Sequence, residues 1–330
     1  MSKVLVLGGA GYIGSHMVWE LVEKNYDVVV LDNLSTGFKK AVHKKAKFYL
    51  GDVENKELLD YVFKTEKIDT VIHFAAFSQV FESMQNPLKY FKNNVCNSLV
   101  LLQSMVENKV KRIVFSSTAA VYGQVLNQPI KETAEKNPTN CYGETKLCVE
   151  NMLKWTGLAE NLNYVCLRYF NAAGAHENAL IGESHRVETH LIPLILKVAL
   201  KQKEYISVFG TNYNTKDGSA QRDYIWVLDL VRAHILAMKY LKNGGKNDVF
   251  NLGSGVKTSV LEVIKAAQEV TNCQIAVKKE EKRAGDPSVL VADFEKAKQI
   301  LKWQPEVKDI KKIIETAYNW HKNNPNGFLN

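Results

Sequence analysis

The first fifteen residues constrain the fold more than any other stretch of the chain. Residues 4–7 are an unbroken apolar run, typical of a strand buried on both faces of a parallel sheet. Gly8, Gly11 and Gly14 follow, and residues 16–23 have a helical pattern. A glycine-rich turn between strand and helix lets the backbone approach a pyrophosphate, and the helix N-terminus adds amide donors. The stretch predicts a dinucleotide site, and a plain tight turn is the alternative.

An acidic residue at the end of the next strand supports the dinucleotide interpretation. Residues 27–31 form the predicted second strand, and Asp32 ends it at the distance expected after such a turn. A carboxylate there would accept a hydrogen bond from an adenosine 2′-hydroxyl and would repel a 2′-phosphate. The sequence therefore predicts NAD rather than NADP as the cofactor.

The composition is that of an ordinary globular protein. The chain has 330 residues, 46% hydrophobic and 24% charged, enough for one large or two modest domains. No apolar run reaches the length of a membrane span, and the first strand starts too early to leave room for a signal peptide. The five cysteines show neither a CxxC pair nor a metal-binding spacing. We expect reduced thiols in the cytoplasm, no membrane partner and no metal site.

The net charge is compatible with two kinds of partner. It is +8 with a pI near 9.0, which suits either a nucleic acid or a small anionic substrate. The lysines are spread in short pairs, without a basic block or a basic–aromatic stripe. We therefore expect no nucleic-acid partner, but a solvated basic surface and an anionic small substrate.

Strand-like and helix-like segments alternate through the first half of the chain. The alternation predicts an α/β fold with a doubly wound parallel sheet of the Rossmann type, whose ligands lie beyond the carboxyl ends of the strands. The predicted helices include residues 87–107 and 142–158. The predicted strands are residues 3–7, 27–31, 47–50, 70–74, 112–116 and 164–168.

The alternation of strand-like and helix-like segments stops near residue 175 and resumes later in the chain. Polar loop-like segments follow, but residues 227–241 have a helical pattern and 248–252 form a further predicted strand. We predict an NAD-binding domain of residues 1–175 plus 225–253. The rest, 176–224 plus 254–330, is predicted to form a smaller discontinuous α/β domain that binds substrate.

Tyr142 and Lys146 form the second informative pattern. Their spacing of four places them on one face of a helix, and the polar run 116–118 ends the fifth predicted strand upstream. A tyrosine has a pKa of about 10, and lowering it to about 7 takes roughly 4 kcal/mol. An ammonium about 4 Å away supplies about that much at an effective dielectric constant of 20. The pattern favours a general base, with Thr118 as a proton relay, over an ordinary surface tyrosine and lysine.

With these residues in place, the chain resembles the extended short-chain dehydrogenase/reductase family, and within it the nucleotide-sugar 4-epimerases. The resemblance runs nearly end to end. The matching stretches are residues 8–14, 32–33, 51–53, 73–76, 93–95, 116–123, 142–146, 169–171, 222–224 and 283–286.

The resemblance implies three groups of site residues. The catalytic group is Tyr142, Lys146 and Thr118. The NAD-binding group is Gly8, Gly11, Tyr12, Ile13, Gly14, Asp32, Asn33, Asp52, Val53, Phe74, Ala75, an asparagine of the pair Asn93 and Asn94, Tyr142, Lys146 and Tyr169. The substrate-binding group is Thr118, Tyr142, Asn171, His190, Leu191, Arg222, Arg283, Asp286 and Leu290.

Two arginines of the substrate group also make chemical sense by themselves. The fork-shaped donors of Arg222 and Arg283 suit a diphosphate, although surface ion pairs are the alternative. Two positions depart from the family pattern. Ser78 replaces a lysine that contacts the cofactor in many members, and His190 replaces an asparagine that contacts the substrate.

The activity implied by the resemblance is interconversion of UDP-glucose and UDP-galactose through a 4-keto intermediate, with bound NAD taking up and returning the hydride. A homodimer through residues 87–107 and 142–158 is implied as well. The alternatives are an epimerase of a UDP-uronate, UDP-pentose or UDP-N-acetylhexosamine, and a non-catalytic NAD-binding module. A 4,6-dehydratase is disfavoured because Thr118 is followed by Ala119 and Ala120, not by an acid pair.

Overall fold

Seven parallel strands form the centre of the molecule. The computed structural model describes residues 3–282 and 287–329. Along the sheet the strands follow the order β11-β6-β5-β4-β1-β2-β3. They are β1 (Lys3–Leu7), β2 (Asp27–Asp32), β3 (Lys47–Leu50), β4 (Thr70–His73), β5 (Arg112–Thr118), β6 (Asn163–Tyr169) and β11 (Asp248–Leu252). The doubly wound parallel sheet predicted from the sequence is confirmed.

The first strand shows why this sheet is covered on both faces. Val4 and Val6 point into one apolar cluster, whereas Leu5 and Leu7 point into a second cluster on the opposite face. All four side chains are fully buried. Alternate residues of a strand face opposite sides, so an unbroken apolar run requires helices on both sides.

Helices form the two outer layers of the sheet. Helices α1 and α8 contribute to the cluster around Val4, and α2, α5 and α6 contribute to the cluster around Leu5. The helices are α1 (Tyr12–Glu23), α2 (Lys56–Glu66), α3 (Val80–Gln85), α4 (Pro87–Tyr90), α5 (Asn97–Glu107), α6 (Cys141–Glu160), α7 (Leu191–Ala199), α8 (Val227–Lys242), α9 (Val260–Thr271), α10 (Glu295–Ile300) and α11 (Ile310–Asn323). In the part of the chain that the structure describes, no helix has the length and apolarity to cross a membrane.

One predicted helix is interrupted by a wider turn. Residues 87–107 comprise α4, a π-helical segment (Phe91–Cys96) and α5. The Asn94 side chain of this segment donates to the Thr145 hydroxyl and to the Phe77 carbonyl, both at 3.0 Å. π-helical segments are rare, and those that occur are frequently at functional sites. The apolar periodicity alone does not reveal this widening.

The remaining elements pack around a separate apolar cluster. Side chains of α7, α9 and α11 form most of it. Small sheets border it, with β9 between β12 and β14 and with the pairs β8–β13 and β7–β10. Their strands are β7 (Asn171–Ala173), β8 (Ile206–Phe209), β9 (Gln221–Arg222), β10 (Tyr224–Trp226), β12 (Thr258–Ser259), β13 (Val277–Glu280) and β14 (Val289–Leu290).

Candidate active site

The glycine turn lies beyond the carboxyl end of β1, and two of its glycines are required by packing. Gly8 has a φ of +77°, and a Cβ on it would lie 2.7 Å from the amide nitrogen of Ala75. A Cβ on Gly14 would lie 2.1 Å from the carbonyl oxygen of Gly8. Both positions therefore exclude a side chain because the turn, α1 and the end of β4 approach each other closely.

Gly11 differs from its two neighbours in the motif. A Cβ on Gly11 would meet only the Gly8 carbonyl oxygen, at 3.4 Å, and its backbone conformation is an ordinary one. Gly11 precedes α1, and among the described residues no side chain caps that helix end. The open space at Gly11 and the amides at the start of α1 together fit the pyrophosphate of NAD.

Asp32 lies beside the glycine turn. Its carboxylate accepts hydrogen bonds from the amides of Ala10 at 2.9 Å and Leu34 at 2.8 Å. Burial raises the pKa of this carboxyl group, and those two amides oppose the rise. Each oxygen keeps a lone pair, so the group can still accept from a ribose hydroxyl.

Three more predicted NAD-binding residues lie at this edge, Asn33 directly after β2 and Asp52 and Val53 after β3. Asn33 donates to the Asp52 carboxylate at 2.5 Å, and Asn97 donates to the same carboxylate at 3.1 Å. Val53 is buried beside them. The structure thus brings Asn33, Asp52 and Val53 together near Asp32.

The two candidate asparagines have different surroundings. Asn94 is buried, and its amide is occupied by Phe77 and Thr145 and by a donor group of Asn93. Asn93 is half-buried, and its side-chain amide donates to the Asn94 side-chain oxygen at 2.9 Å. Of the pair, Asn93 is the better placed to contact a cofactor, whereas Asn94 fixes the loop after β4.

Other predicted cofactor residues make contacts within the protein. The Tyr12 hydroxyl donates to the Gly174 carbonyl at 2.6 Å, which joins α1 to the loop after β7. The Tyr169 and Ser116 hydroxyls lie 2.6 Å apart at the ends of β6 and β5. Ile13 and Phe74 are half-buried at the margin of the sheet cluster.

Helix α6 presents the predicted catalytic residues to the end of β5. The Lys146 ammonium donates to the Ser116 carbonyl at 2.9 Å and lies 6.0 Å from the centre of the Tyr142 ring. The Tyr142 hydroxyl is hydrogen-bonded to the Thr118 side chain. The main-chain amide of Tyr142 donates to the Ser83 hydroxyl at 3.1 Å. The structure therefore brings Tyr142, Lys146 and Thr118 together.

Burial dominates the ionisation of this pair. It raises the pKa of the Tyr142 phenol well above 10, and the hydrogen bond with Thr118 opposes the rise only in part. It lowers the pKa of the Lys146 ammonium to about 7, against the field of Glu150. Both shifts oppose the effect expected from the sequence, in which a charged Lys146 favours ionisation of Tyr142.

A buried ion pair fixes the position of α6, and sequence analysis missed it. Glu150 lies one turn beyond Lys146 and pairs with Arg168 of β6 through two hydrogen bonds, at 2.9 and 2.5 Å. Glu150 also accepts from the Ser117 hydroxyl, and Arg168 donates to the Tyr122 hydroxyl. The spacing 142, 146, 150 on one helix face is the pattern that could have revealed it.

The predicted substrate residues lie on short strands and loops. Asn171 begins β7 and is exposed, and Arg222 on β9 donates to the Pro287 carbonyl at 2.9 Å. Leu290 pairs in register with Arg222 and is half-buried against the cluster that contains Phe170. Leu191 is half-buried at the start of α7. Arg283 and Asp286 lie outside the described residues.

His190 is held in a group of ionisable side chains. Its Nδ1 is hydrogen-bonded to Glu183, and Glu188 lies close by. Burial lowers the pKa of His190, but the two carboxylates outweigh burial and raise it to about 9. Ser78, the other departure from the family pattern, is exposed after β4.

Comparison with known proteins assigns this arrangement to a family. Residues 4–253 match the NAD-dependent epimerase/dehydratase family. The chain belongs to that family. A UDP-glucose 4-epimerase of Lacticaseibacillus casei is 53% identical over 325 residues, 98% of either chain.

Two solved structures of epimerases resemble the molecule over nearly its whole length. One is a UDP-glucose 4-epimerase from Bifidobacterium longum in complex with NAD+ and UDP, with a TM-score of 0.94, 38% identity and coverage of 99% and 100%. The other is a UDP-Glc/GlcNAc 4-epimerase from Campylobacter jejuni, with a TM-score of 0.86, 39% identity and coverage of 98% and 100%. The predictions of an NAD-dependent isomerase of the UDP-glucose 4-epimerase family and of NAD as its cofactor are confirmed.

Proposed function

We propose that this epimerase interconverts UDP-galactose and UDP-glucose, with Tyr142 as the general base. The observation that carries the proposal is the placement of Tyr142 and Lys146 on one face of α6, against the end of β5. The glycine turn lies two strands away at the same edge of the sheet. In open parallel sheets this edge is where ligands bind.

The side chains of the chain divide the work as follows. Tyr142 takes the proton of the sugar 4-hydroxyl, directly or through the Thr118 hydroxyl that is bonded to it. Lys146 supplies positive charge near the phenolate. Bound NAD would supply a reversible hydride acceptor for sugar C4 and a positively charged ring. Arg222 holds the diphosphate, about which the keto sugar turns between the two transfers.

Residues of the NAD-binding group have complementary tasks. Gly8 and Gly14 shape the turn, and Gly11 leaves room for the pyrophosphate. Asp32 accepts from the adenosine ribose and excludes a 2′-phosphate. Denaturing the purified protein should release NAD without a 2′-phosphate, and recovery of NADP would contradict the role of Asp32.

The direct test of the activity is to supply UDP-galactose without added cofactor. The hydride is returned in each cycle, so purified protein with its own NAD should form UDP-glucose until equilibrium. Nuclear magnetic resonance of the anomeric protons measures both sugars at once. Failure to convert any nucleotide sugar, with NAD demonstrably bound, would instead support a non-catalytic NAD-binding module.

A second candidate substrate is an N-acetylated sugar, since the Campylobacter jejuni relative is a UDP-Glc/GlcNAc 4-epimerase. By resemblance, Leu290 lines the sugar pocket, where a bulky residue disfavours the acetamido group. Filling a packed site with a few extra atoms costs about 1–3 kcal/mol. We expect UDP-galactose to be preferred over UDP-N-acetylgalactosamine.

The substitution Leu290→Ser tests this role of Leu290. It should narrow the ratio of kcat/KM for the two sugars by roughly 5- to 150-fold. Equal values in the wild type, or an unchanged ratio in the variant, would show that Leu290 is only a packing residue of β14.

A homodimer is the proposed assembly. Phe81, Met84 and Leu88 on α3 and α4 are exposed, as are Trp155 and Leu158 on the adjacent helix α6. Apolar side chains grouped on one face favour a protein contact. Leu88→Glu should yield monomers in analytical ultracentrifugation, whereas Leu126→Glu, at an exposed leucine elsewhere, should not.

The proposed compartment and pathway follow from the same chemistry. The five cysteines are free thiols, which favours a reducing compartment such as the cytoplasm. The proposed substrate places the enzyme in galactose metabolism.

The proposed domain division assigns residues 1–175 plus 225–253 to NAD and 176–224 plus 254–330 to the nucleotide sugar. The separate apolar cluster formed mostly by α7, α9 and α11 supports this division.

A further inference from the structure

Four metal-ligating side chains converge in the loop before α7. They are Glu183, His185, Glu188 and His190, and one ligand atom of each lies within 4.8 Å of all the others. The spacing is two, three and two residues, so a single eight-residue loop supplies the whole set. The prediction of no metal site considered the cysteines and did not weigh this run of histidines and glutamates.

The distances within this group suit a tetrahedral ion. Nδ1 of His185 lies 3.1 Å from a Glu188 oxygen and 3.6 Å from a Glu183 oxygen. Nδ1 of His190 lies 3.8 Å from Glu188 and is also bonded to Glu183. Bonds of about 2.0–2.1 Å from zinc to nitrogen or oxygen place tetrahedral ligands about 3.3–3.4 Å apart. Small side-chain adjustments would make all four atoms ligands of one ion.

Charge and burial point in the same direction. The side chains of Glu183 and Glu188 are 4% and 3% exposed, so two carboxylates are buried side by side. Buried carboxylates require compensating positive charge. His190, whose pKa is raised by these carboxylates, supplies positive charge to the pair without a metal. One divalent cation bound by two neutral imidazoles would replace that charge, balance both carboxylates and lie between them.

The surrounding structure holds the loop in this conformation. The Trp320 indole donates to the Glu183 carbonyl at 3.1 Å, and the amides of Thr189 and His190 donate to the Glu188 carboxylate. A Cβ on Gly182 would lie 2.2 Å from the Trp320 ring, so the loop lies directly on α11. Such outer contacts orient ligands and strengthen metal sites.

We propose that Glu183, His185, Glu188 and His190 bind one Zn²⁺ ion. Two imidazoles and two carboxylates suit zinc, and four protein ligands with no open position are typical of a structural rather than a catalytic site. The ion would fix the conformation of the loop that leads into α7, which already packs on α11 through Gly182 and Trp320. This inference does not depend on the proposed sugar substrate.

The test measures metal content in tag-free protein. Wild type is equilibrated with Zn²⁺, passed through a desalting column and analysed by mass spectrometry of the metal. It should retain about one zinc per chain, and Glu183→Gln and His185→Gln should each weaken binding at least about tenfold. The matched controls Glu177→Gln and His43→Gln make the same chemical changes outside the group and should bind zinc as the wild type does.

A second measurement needs no variant. The Co²⁺-substituted wild type should show the visible absorption of a tetrahedral nitrogen–oxygen site, without the near-ultraviolet thiolate band that cysteine ligands would give. Zinc should also raise the midpoint of thermal unfolding. Wild type that retains no zinc, a thiolate band, or unchanged zinc binding in both cluster variants would overturn the proposal.

Discussion

Tyr142 and Lys146 are both buried, and burial shifts their pKa values in opposite directions. The phenol becomes harder to ionise and the ammonium easier to deprotonate. At 6.0 Å, the distance from the ammonium to the Tyr142 ring centre, a unit charge contributes about 3 kcal/mol at an effective dielectric constant of 20, or roughly two pH units. That is less than the shift required, and the positively charged ring of bound NAD would supply the rest. We therefore propose that Tyr142 acts as a base only in the holoenzyme.

Lys146→Met tests this electrostatic role. The variant keeps an apolar stem of similar length but loses the charge, so kcat at pH 7 should fall about 100-fold. It should then keep rising up to at least pH 9, because the pKa of Tyr142 is higher. Lys154→Met, at an exposed lysine of the same helix, is the control. A parallel pH profile in wild type and variant, at equal NAD content, would contradict the role.

At the scale of the element, the glycine turn contains one glycine that packing requires and another that we expect ligand binding to require. Gly14 is required by its contact with Gly8, whereas Gly11 has room for a methyl group. Gly11→Ala should therefore leave stability within about 1 kcal/mol and weaken NAD binding at least tenfold, since the methyl enters the space for the pyrophosphate. Gly14→Ala should destabilise the fold itself. Unfolding by urea and titration of NAD-free protein measure the two effects.

The two variants Gly11→Ala and Gly14→Ala can also contradict these roles of the two glycines. If Gly11→Ala binds NAD as tightly as wild type, the pyrophosphate lies elsewhere. If Gly14→Ala is as stable as wild type, the turn tolerates a rearrangement that the present packing excludes.

Helices and strands with a strong pattern of apolar residues were predictable from the sequence, whereas elements that depend on tertiary contacts were not. The strand β1 and the helix α8 follow from unbroken or periodic apolar residues. The two-residue strands β9 and β14 have no period of their own and form through pairing with strands distant in sequence, β9 with β12 and β14 and β14 with β9. The π-helical segment and the pair Glu150–Arg168 likewise depend on side chains distant in sequence. Tyr142 and Lys146 were predictable because the two residues lie one helix turn apart on α6.

At the scale of the whole molecule, three buried histidines make the fold sensitive to acid. Burial lowers the pKa of His16 and His73 to about 3 and that of His234 to about 4. In the unfolded chain a histidine has a pKa of about 6.5. Below about pH 6.5 these histidines are protonated in the unfolded state but stay neutral in the native state. The free energy of unfolding therefore falls as the pH falls. By pH 5 each histidine accounts for about 2 kcal/mol of lost stability.

The substitution His234→Gln removes one of these three ionisable groups. Between pH 7.5 and pH 5, the free energy of unfolding should fall by about 2 kcal/mol less in the variant than in the wild type. Comparing two proteins cancels the contributions of all other groups. Urea titrations at both pH values, with excess NAD, provide the measurement. An identical loss in both proteins would mean that His234 is protonated in the folded state.

The central claim for the molecule is that Tyr142 performs the proton transfer in a site that the fold assembles. Tyr142→Phe removes only the hydroxyl, and the ring can stay packed beside Thr118. With NAD content and thermal midpoint matched to the wild type, kcat for UDP-galactose should fall by about 10² to 10⁴. Tyr61→Phe, at an exposed tyrosine, should retain wild-type turnover. A Tyr142→Phe variant that keeps more than about half of wild-type turnover would show that another group is the base.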